Sequence, residues 1–316
     1  WPILLKNGIR GKLWKCIKSM YNDVKARVRS GAKLSDFVNC TRGVKQGDVC
    51  SPVLFSLFIN ELALEIIENG RHGISFDLVE LFLLLFADDI ILLSVSVIGL
   101  QRQLNSLYMA AGRLELKVNM DKTYIIVFRK GGYLSSRERW TYGNELVSVV
   151  NTYKYLGIYF STRLSFSFAC QDLVNRGKRA VLSIFHILYK LNCNSFNIFK
   201  QLFDSQVQPI LQYGAEIWAF DNGKDIEKLH LYAMKRFLNV ESRTPNDLVY
   251  GDLGRYPLYL NSYVKCISYW LKLTRMDDTC VRLPYKAYKT LCHSDNNGKR
   301  TWVTNVRKCL CSYGFA

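Results

Sequence analysis

Two apolar runs separated by a pair of carboxylates dominate the middle of the chain. Six apolar residues, Leu81 to Phe86, precede Ala87, and four, Ile90 to Leu93, follow Asp88 and Asp89. Apolar runs of this length are typical of buried strands, so the stretch predicts a hairpin that turns at Ala87-Asp88-Asp89. Ionised carboxylates at the ends of buried strands cost free energy unless a positive charge compensates them, and Mg²⁺ or Mn²⁺ prefers carboxylate oxygens. A solvated acidic turn is the alternative interpretation.

The segments before this hairpin are predicted to be helix, strand and helix. Residues 1–22 predict a helix whose apolar side holds Leu13, Ile17, Met20 and Tyr21. Apolar and basic residues alternate from Val24 to Arg29, which predicts a half-exposed strand with a basic outer face. That face could contact a phosphate backbone, or it could equally be an ordinary solvated surface. Ser51, a good N-cap, and Pro52 then start a helix that ends at Gly70. Its predicted core face holds Leu54, Leu57, Phe58 and Leu62.

The segments after the hairpin predict an α+β fold. An amphipathic helix runs over 100–114, a strand over 123–128, and a weakly stranded insert over 131–151. Another hairpin, 153–160, bends near Gly157. The order helix, strand, turn, strand, helix, strand fits a small antiparallel sheet backed by helices on one side. Helical periodicity then dominates, with predicted helices at 170–191, 196–220, 225–240, 244–251 and 258–276, and a loop at 296–298.

Charge and composition favour a polyanionic partner. The chain has 316 residues, 49% of them apolar, which is typical of a globular protein, and a net charge of +17. That charge favours nucleic acid over a membrane surface, although a basic protein without such a partner remains an alternative. No transmembrane helix is predicted, because the longest apolar run contains Asp88 and Asp89.

Ten scattered cysteines favour reduced, intracellular thiols. None of them forms a CxxC pair. Cys292-His293 followed by Cys309 and Cys311 matches no zinc-binding spacing.

Five short motifs, in this order, resemble those of reverse transcriptases of non-LTR (LINE-type) retrotransposons. Lys45-Gln46-Gly47 followed by Ser51-Pro52 resembles motif B, and Phe86-Ala87-Asp88-Asp89 resembles motif C. Asn119-Met120-Asp121-Lys122-Thr123 is similar to motif D, and Tyr155-Leu156-Gly157 to the primer grip, motif E. The stretch from Gln208-Pro209 to Trp218 is similar to the thumb signature. A group II intron maturase is a weaker alternative, since its motif C usually has Tyr where this chain has Phe86.

The resemblance implies RNA-directed DNA polymerisation by nucleotidyl transfer with two Mg²⁺ (or Mn²⁺) ions. Asp88 would be a direct metal ligand and Asp89 a supporting one, and Lys122 would neutralise or protonate the leaving pyrophosphate unless it is an ordinary surface lysine. The residues expected to bind substrate or template are Gln46, Gly47, Phe86, Asn119, Tyr155, Leu156 and Gly157. The implied partners are an RNA template, a DNA primer and deoxynucleoside triphosphates, without a membrane, in the nucleus and/or cytoplasm.

The implied architecture is a right-hand polymerase palm, an antiparallel sheet backed by helices, followed by an all-α thumb and a helical C-terminal region. The expected segments are a partial fingers/palm segment (1–50), the palm with motifs B to E (51–163), the thumb (164–224) and a helical extension (225–316).

The third metal-binding carboxylate, that of motif A, is not recognisable in this sequence. The family places it before a segment like Leu4–Lys18, and Asp23, Asp36 and Asp48 lie in no comparable apolar strand. The chain is therefore expected to be truncated after motif A and to show little or no polymerase activity alone. A non-catalytic nucleic-acid-binding remnant and an unfolded relic are the alternatives.

Overall fold

The computed structural model describes residues 1–69, 72–76, 79–276 and 283–315, and the chain forms two compact units. Unit 1 comprises Trp1–Ser75, Glu80–Lys122 and Ser136–Val147. Unit 2 comprises Phe76–Val79, Thr123–Ser135 and Ser148–Ala316. The chain therefore enters unit 2 three times and returns to unit 1 twice, at Glu80 and at Ser136. The expected end of the third helix at Gly70 lies outside the described residues.

Helices dominate unit 2, and both units contain short strands. The helices are α1 Pro2–Lys6, α2 Gly11–Met20, α3 Ser51–Asn69, α4 Val97–Arg113, α5 Ser167–Lys190, α6 Phe196–Leu202, α7 Gln208–Leu211, α8 Ala215–Asn222, α9 Lys224–Leu238, α10 Asn246–Leu253, α11 Leu258–Thr274, α12 Leu283–Asn296 and α13 Trp302–Ser312. The strands are β1 Lys25–Ala26, β2 Arg29–Ser30, β3 Lys33–Leu34, β4 Val38–Asn39, β5 Ile74–Phe76, β6 Val79–Leu81, β7 Leu83–Phe86, β8 Asp89–Leu92, β9 Tyr124–Ile125, β10 Thr141–Tyr142, β11 Glu145–Leu146, β12 Ser148–Val149, β13 Thr152–Tyr155 and β14 Ile158–Ser161. This mixture confirms the α+β class.

The strands of the described residues pair two at a time, so the expectation of one antiparallel sheet is wrong for this part of the chain. The pairs are β1–β4, β2–β3, β5–β6, β7–β8, β9–β12, β10–β11 and β13–β14. The β9–β12 pair is parallel. Strands of two to four residues present few backbone groups, which limits the pairing that each can sustain.

Two predictions for the N-terminal segment are wrong. The helix expected over 1–22 is interrupted between α1 and α2, where Gly8 has a φ of +82°, and α2 buries none of its residues. The strand expected to be half-exposed is exposed on both faces over residues 25–30. Leu4 of α1 is buried, but α2 and the strand at 25–30 bury none of their residues, so the periodicity of those two stretches did not translate into burial.

The core of unit 1 joins α3, α4 and the β7–β8 hairpin. Ile59, Leu62 and Ile66 of α3 and Leu107 and Ala110 of α4 are buried together. The predicted Leu62 belongs to this core, whereas Leu54 and Phe58 are only partly buried. The buried apolar residues of α3 therefore lie from the middle of the helix to its end, further along than the sequence predicts.

Residues 136–147 complete unit 1 after the chain has visited unit 2. Trp140 is buried, and its Nε1 donates to the carbonyl of Val97 at 3.0 Å. The amide of Thr141 donates to Oε1 of Gln101 at 2.9 Å, and the Gln101 amide nitrogen donates back to the Thr141 carbonyl at 2.8 Å. This returning segment therefore holds α4 through hydrogen bonds between residues that are 40 or more positions apart in the sequence.

The core of unit 2 is formed by helices from α5 to α11, around Phe199, Phe203 and Trp218. The helix expected over 196–220 is α6, a π-helical turn at Phe203–Val207, α7, and then α8 after a break. Pro209 lacks the amide hydrogen that would continue the α-helical ladder, and a π turn accommodates that loss. The remaining predicted helices agree with α5, α9, α10 and α11, and the predicted loop follows α12.

Candidate active site

The β7–β8 hairpin presents Phe86 and Asp89 on the face that is turned away from the core. Leu83 pairs with Leu92 and Leu85 with Ile90, and all four pack against the core of α3 and α4. Because side chains alternate across a strand, the pair Phe86–Asp89 belongs to the opposite face. The apolar core thus orients the hairpin and leaves its tip to solvent.

The predicted turn is confirmed, but its carboxylates are not buried. Ala87 and Asp88 form a two-residue turn, and Ala87 has a φ of +51°, a conformation that costs a non-glycine residue about 1 kcal/mol. Phe86 is 58% exposed, and Asp88 and Asp89 are both exposed. The expected cost of burying two charges is therefore absent, because the strands are only half-buried and Asp89, the first residue of β8, is itself exposed.

The two carboxylates have the chemistry of a divalent-cation site. Among the described residues, no hydrogen bond or ion pair engages the side chain of Asp88 or Asp89. Adjacent, exposed, hard oxygen donors without a competing partner fit Mg²⁺ or Mn²⁺. In the part of the chain that the structure describes, no group of three His, Cys, Asp or Glu side chains is placed to hold a metal ion.

The loop that carries Gln46 and Gly47 is fixed by contacts to its neighbours. α3 begins at Ser51 itself, so Ser51 is its first residue rather than the predicted N-cap before it, and its hydroxyl donates to the Lys45 carbonyl at 2.6 Å. The hydroxyl of Tyr21 donates to Asp48 at 3.0 Å. Gly47 has a φ of +84°, which explains glycine at this position, and Gln46 is exposed. The structure therefore places Gln46 at the surface of an ordered loop.

Asn119 and Lys122 occupy a single turn in unit 1. The side-chain oxygen of Asn119 accepts the Asp121 amide at 3.0 Å, and its carbonyl accepts the Lys122 amide at 3.2 Å. A 3₁₀ turn then spans Met120–Lys122. Asn119 therefore shapes the segment that presents Lys122, whose side chain is exposed.

Tyr155, Leu156 and Gly157 lie in unit 2, at the turn of the β13–β14 hairpin. Leu156 and Gly157 form a two-residue turn with φ values of +46° and +85°. The hydroxyl of Tyr213 donates to the Leu156 carbonyl at 2.8 Å, and the Arg176 guanidinium donates to the Gly157 carbonyl at 3.2 Å. Two motifs that are more than 50 positions apart, 155–157 and the stretch at Tyr213, therefore meet in one unit.

These anchors of the second turn were not singled out from the sequence. Tyr213 belonged to a recognised stretch, but nothing in the pattern indicated its contact with Leu156. Gly214 follows with a φ of +70°, and Trp218 Nε1 donates to the Tyr213 carbonyl at 3.0 Å. The recurring glycine and aromatic residues of this stretch thus have a structural explanation.

The comparison with protein families decides the classification of this site. Residues 6–160 match the family described as reverse transcriptase (RNA-dependent DNA polymerase). This range, just under half of the chain, is similar to the reverse transcriptase family. The matched range contains Asp88, Asp89 and every other residue expected in the site.

The curated relatives come from mobile elements and confirm the resemblance to non-LTR reverse transcriptases. The chain is 29% identical over 225 residues, 67% of its length, to a probable RNA-directed DNA polymerase from transposon BS of Drosophila melanogaster, of which it covers 24%. It is 21% identical over 230 residues, 71% of its length, to the RNA-directed DNA polymerase from mobile element jockey of the same species, covering 24%. It is 27% identical over 154 residues, 46% of its length, to the Pol polyprotein from retrotransposable element R2 of Bradysia coprophila, covering 17%. The chain thus spans about a quarter or less of these relatives.

Two further predictions concern the cysteines and the absence of a transmembrane helix. The described cysteines are unpaired thiols, and burial raises the pKa of the Cys309 thiol, which disfavours the thiolate that zinc binding needs. Cys280 lies outside the described residues. Within the described ranges, every helix is too short or too polar to cross a bilayer.

Proposed function

We propose that this chain belongs to an RNA-directed DNA polymerase of a retrotransposon and that the tip of its β7–β8 hairpin supplies two carboxylates to the metal-binding centre of that polymerase. The observation that carries the proposal is the exposed pair Asp88 and Asp89 beside Phe86, inside the range that matches the reverse transcriptase family. An RNA template, a DNA primer and deoxynucleoside triphosphates are the proposed partners. The segments 1–50, 51–163, 164–224 and 225–316 remain the proposed fingers/palm, palm, thumb and C-terminal extension.

Asp88 is the proposed direct ligand of Mg²⁺ or Mn²⁺, with Asp89 in support. When bound, the ion supplies Lewis-acid stabilisation of the oxygens that carry charge during transfer. In the reaction the primer 3′-oxygen bonds to the α-phosphorus of the triphosphate, and the bond to the leaving pyrophosphate breaks. Lys122 supplies positive charge or a proton to that pyrophosphate. Its exposed position at the end of an ordered turn supports this role.

The remaining residues are proposed to position the nucleic acid. Phe86 offers an exposed ring next to Asp89, suited to packing beside the primer terminus. Gln46, on its ordered loop, contacts the template or incoming nucleotide, and Gly47 lets the backbone approach closely. Asn119 shapes the Lys122 segment, and the turn of Tyr155, Leu156 and Gly157 is the proposed primer grip.

A third carboxylate is needed to complete a two-metal centre. The described residues bring none beside Asp88 and Asp89. We therefore expect the 316-residue polypeptide to extend a primer on an RNA template weakly or not at all. Robust extension by this polypeptide with Mg²⁺ would show that two carboxylates suffice.

Metal-directed cleavage tests the centre without requiring turnover. Fe²⁺ replaces Mg²⁺ in the presence of an RNA–DNA primer–template, and ascorbate with peroxide then generates radicals that cut the nearby backbone. We expect a cut between β7 and β8 that disappears in Asp88→Asn and Asp89→Asn. Asp247→Asn, which alters an exposed acid in unit 2, is the matched control and keeps the cut. Cleavage elsewhere only, or an unchanged cut in both site variants, contradicts the proposal.

A non-catalytic nucleic-acid-binding role is the second candidate, and it is favoured because no described residue adds a third carboxylate to Asp88 and Asp89. It predicts that Asp88→Ala binds an RNA–DNA hybrid with and without Mg²⁺ as the unchanged chain does. The polymerase proposal instead predicts that Mg²⁺ strengthens binding of the unchanged chain and that Asp88→Ala abolishes this gain. A titration of labelled hybrid with and without Mg²⁺ separates the two.

A further inference from the structure

A basic arm projects from unit 1 between α2 and α3. We define it as residues 25–40, all of which are exposed. It holds four cations, Lys25, Arg27, Arg29 and Lys33, and a single acid, Asp36. An isolated two-stranded hairpin is at best marginally stable in water, so a ribbon without any buried residue gains most from a partner.

The pairing of the arm aligns three of its cations on one face. Lys25 pairs with Asn39 and Ala26 with Val38, but Arg29 pairs with Leu34, so the register changes by one residue between the two ladders. The extra residue lies in the returning strand, as in a β-bulge. Lys25 lies in β1 and Arg29 in β2, and Arg27 between them contacts Phe37 of the returning half, so the spacing of two residues favours one face for all three cations.

The two arginines of this face are held in place by contacts within the arm. The guanidinium of Arg27 lies over the ring of Phe37, 4.8 Å from its centroid. Nε of Arg29 donates to the carbonyl of Gly31 at 3.1 Å. Each contact fixes the side chain while leaving guanidinium hydrogens directed to solvent, so the entropy lost on binding an anion is reduced.

We propose that the basic arm binds the phosphate backbone of a nucleic-acid duplex through Lys25, Arg27 and Arg29. Alternate side chains of a strand lie about 6.6 Å apart, close to the separation of consecutive phosphates along one strand of nucleic acid. Such contacts position a duplex without reading its sequence. This inference rests on the proposed function only for the presence of a nucleic acid, since no residue of the arm belongs to the candidate active site.

Charge decides between the possible occupants of the arm. The opposite face carries Val28 and Val38, 72% and 65% exposed, together with Lys33, which pairs with Ser30, and its apolar part by itself would fit a protein partner. The arm as a whole nevertheless carries a charge excess of three, and three aligned cations without an aligned acid match a polyanion.

The salt dependence of binding tests the proposal. The chain and a triple variant, Lys25→Gln with Arg27→Gln and Arg29→Gln, are titrated with a fluorescently labelled RNA–DNA hybrid at several salt concentrations. Each lost phosphate contact lowers the slope of log affinity against log salt by about one, so we expect a decrease of about 3. At low salt the affinity falls by roughly 10- to 100-fold, equally for hybrids of different sequence. Because all three positions are exposed, folding is expected to be unaffected.

Two further variants make the result specific. Lys25→Arg with Arg27→Lys and Arg29→Lys keeps the charge and is expected to keep the slope. Lys228→Gln with Lys272→Gln and Lys308→Gln removes three exposed cations of unit 2 and serves as the matched control. An unchanged slope in the arm variant, an equal loss in the control, or loss only of binding to anionic phosphatidylserine vesicles would overturn the arm proposal alone. Failure of the unchanged chain to bind the hybrid would overturn the polymerase proposal as well.

Discussion

The β7–β8 and β13–β14 hairpins reverse direction in the same way but are supported differently. Each turns through two residues, and the first of them has a positive φ without being glycine: Ala87 at +51° and Leu156 at +46°. The second turn is tied down by Tyr213 and by Arg176. In the described residues, nothing bonds to the acid side chains of the first turn.

The two turns therefore differ in their support: side chains from elsewhere in the chain bond to the second turn, whereas the acid side chains of the first turn have no such bond among the described residues. Both turns store a similar backbone strain, and strain persists only where surrounding structure determines it. At Leu156 a phenol and a guanidinium provide that support. At Ala87 the support comes from strand pairing beneath the turn, and the two carboxylates remain available. The comparison shows that one turn is supported by residues far along the chain, whereas the acid side chains of the other bond to none of the described residues.

The largest expected effect follows from removing the charges of the first turn. Asp88→Asn combined with Asp89→Asn should weaken Mn²⁺ binding by roughly 100-fold, because hard anionic donors provide the affinity. The free energy of unfolding should change by less than about 0.5 kcal/mol, since no partner is lost. Calorimetric titration with Mn²⁺ and urea denaturation measure the two quantities. Asp172→Asn, which loses the ion pair with Lys154, is the control that should change stability rather than Mn²⁺ binding.

The second effect concerns the glycine of the supported turn. Gly157 has a φ of +85°, and a Cβ there would lie 3.3 Å from the ring of Tyr213. Gly157→Ala should therefore lower the free energy of unfolding by about 2 kcal/mol and leave Mn²⁺ binding unchanged. Gly251→Ala in α10, where a Cβ meets nothing within 4 Å, should be neutral or stabilising. Equal losses in both variants would refute the assignment of a special role to Gly157.

A smaller effect is expected from the hydroxyl that supports Leu156. Tyr213→Phe keeps the ring and removes the hydrogen bond to the Leu156 carbonyl, which should cost about 1 kcal/mol of stability. Tyr189→Phe, at a side chain that is 88% exposed, should cost nothing measurable. The measurement is again the urea midpoint, and indistinguishable midpoints for the two variants would mean that the bond contributes no net stability.

The smallest effect tests the strain at the first turn. Ala87→Gly relieves the positive φ but adds backbone freedom to the unfolded chain, so we expect a net gain of about 0.5 kcal/mol at most. Mn²⁺ binding by Asp88 and Asp89 should persist. A loss of stability above that size would show that the Ala87 methyl packs in a way that φ alone does not reveal.

The sequence predicted local features well where one short segment determines them. The hairpin at Ala87-Asp88, the turn at Gly157 and the amphipathic helix α4 depend on neighbouring residues, and each is found where the pattern places it. Burial was predicted less well, because it depends on what packs against a segment from elsewhere in the chain. The apolar side of α2 and the strand at 24–29 show the right periodicity without a core to receive it.

The candidate site shows the same limit. Motif resemblance identified Asp88, Asp89 and Gly157, and all three lie within residues 6–160, the range that matches the reverse transcriptase family. The support of the second turn by Tyr213 and Arg176 joins residues far apart in sequence, which no local pattern encodes. The exposure of the two carboxylates was not predicted either. An apolar run indicates that a strand can be buried, but whether it is buried depends on what the rest of the chain packs against it.

The return of residues 136–147 to unit 1 sets the order in which the chain can fold during synthesis. Trp140 can contact Val97 only after the ribosome has also produced β9, the first strand that lies wholly in unit 2, and the parallel partner of β9, β12, follows soon afterwards. A nascent chain that stops at residue 135 therefore lacks the tryptophan that covers α4, and neither unit can be excised as one continuous piece. Contacts of this sequence separation slow folding, so α4 stays uncovered on the ribosome longer than its position in the first third of the chain suggests.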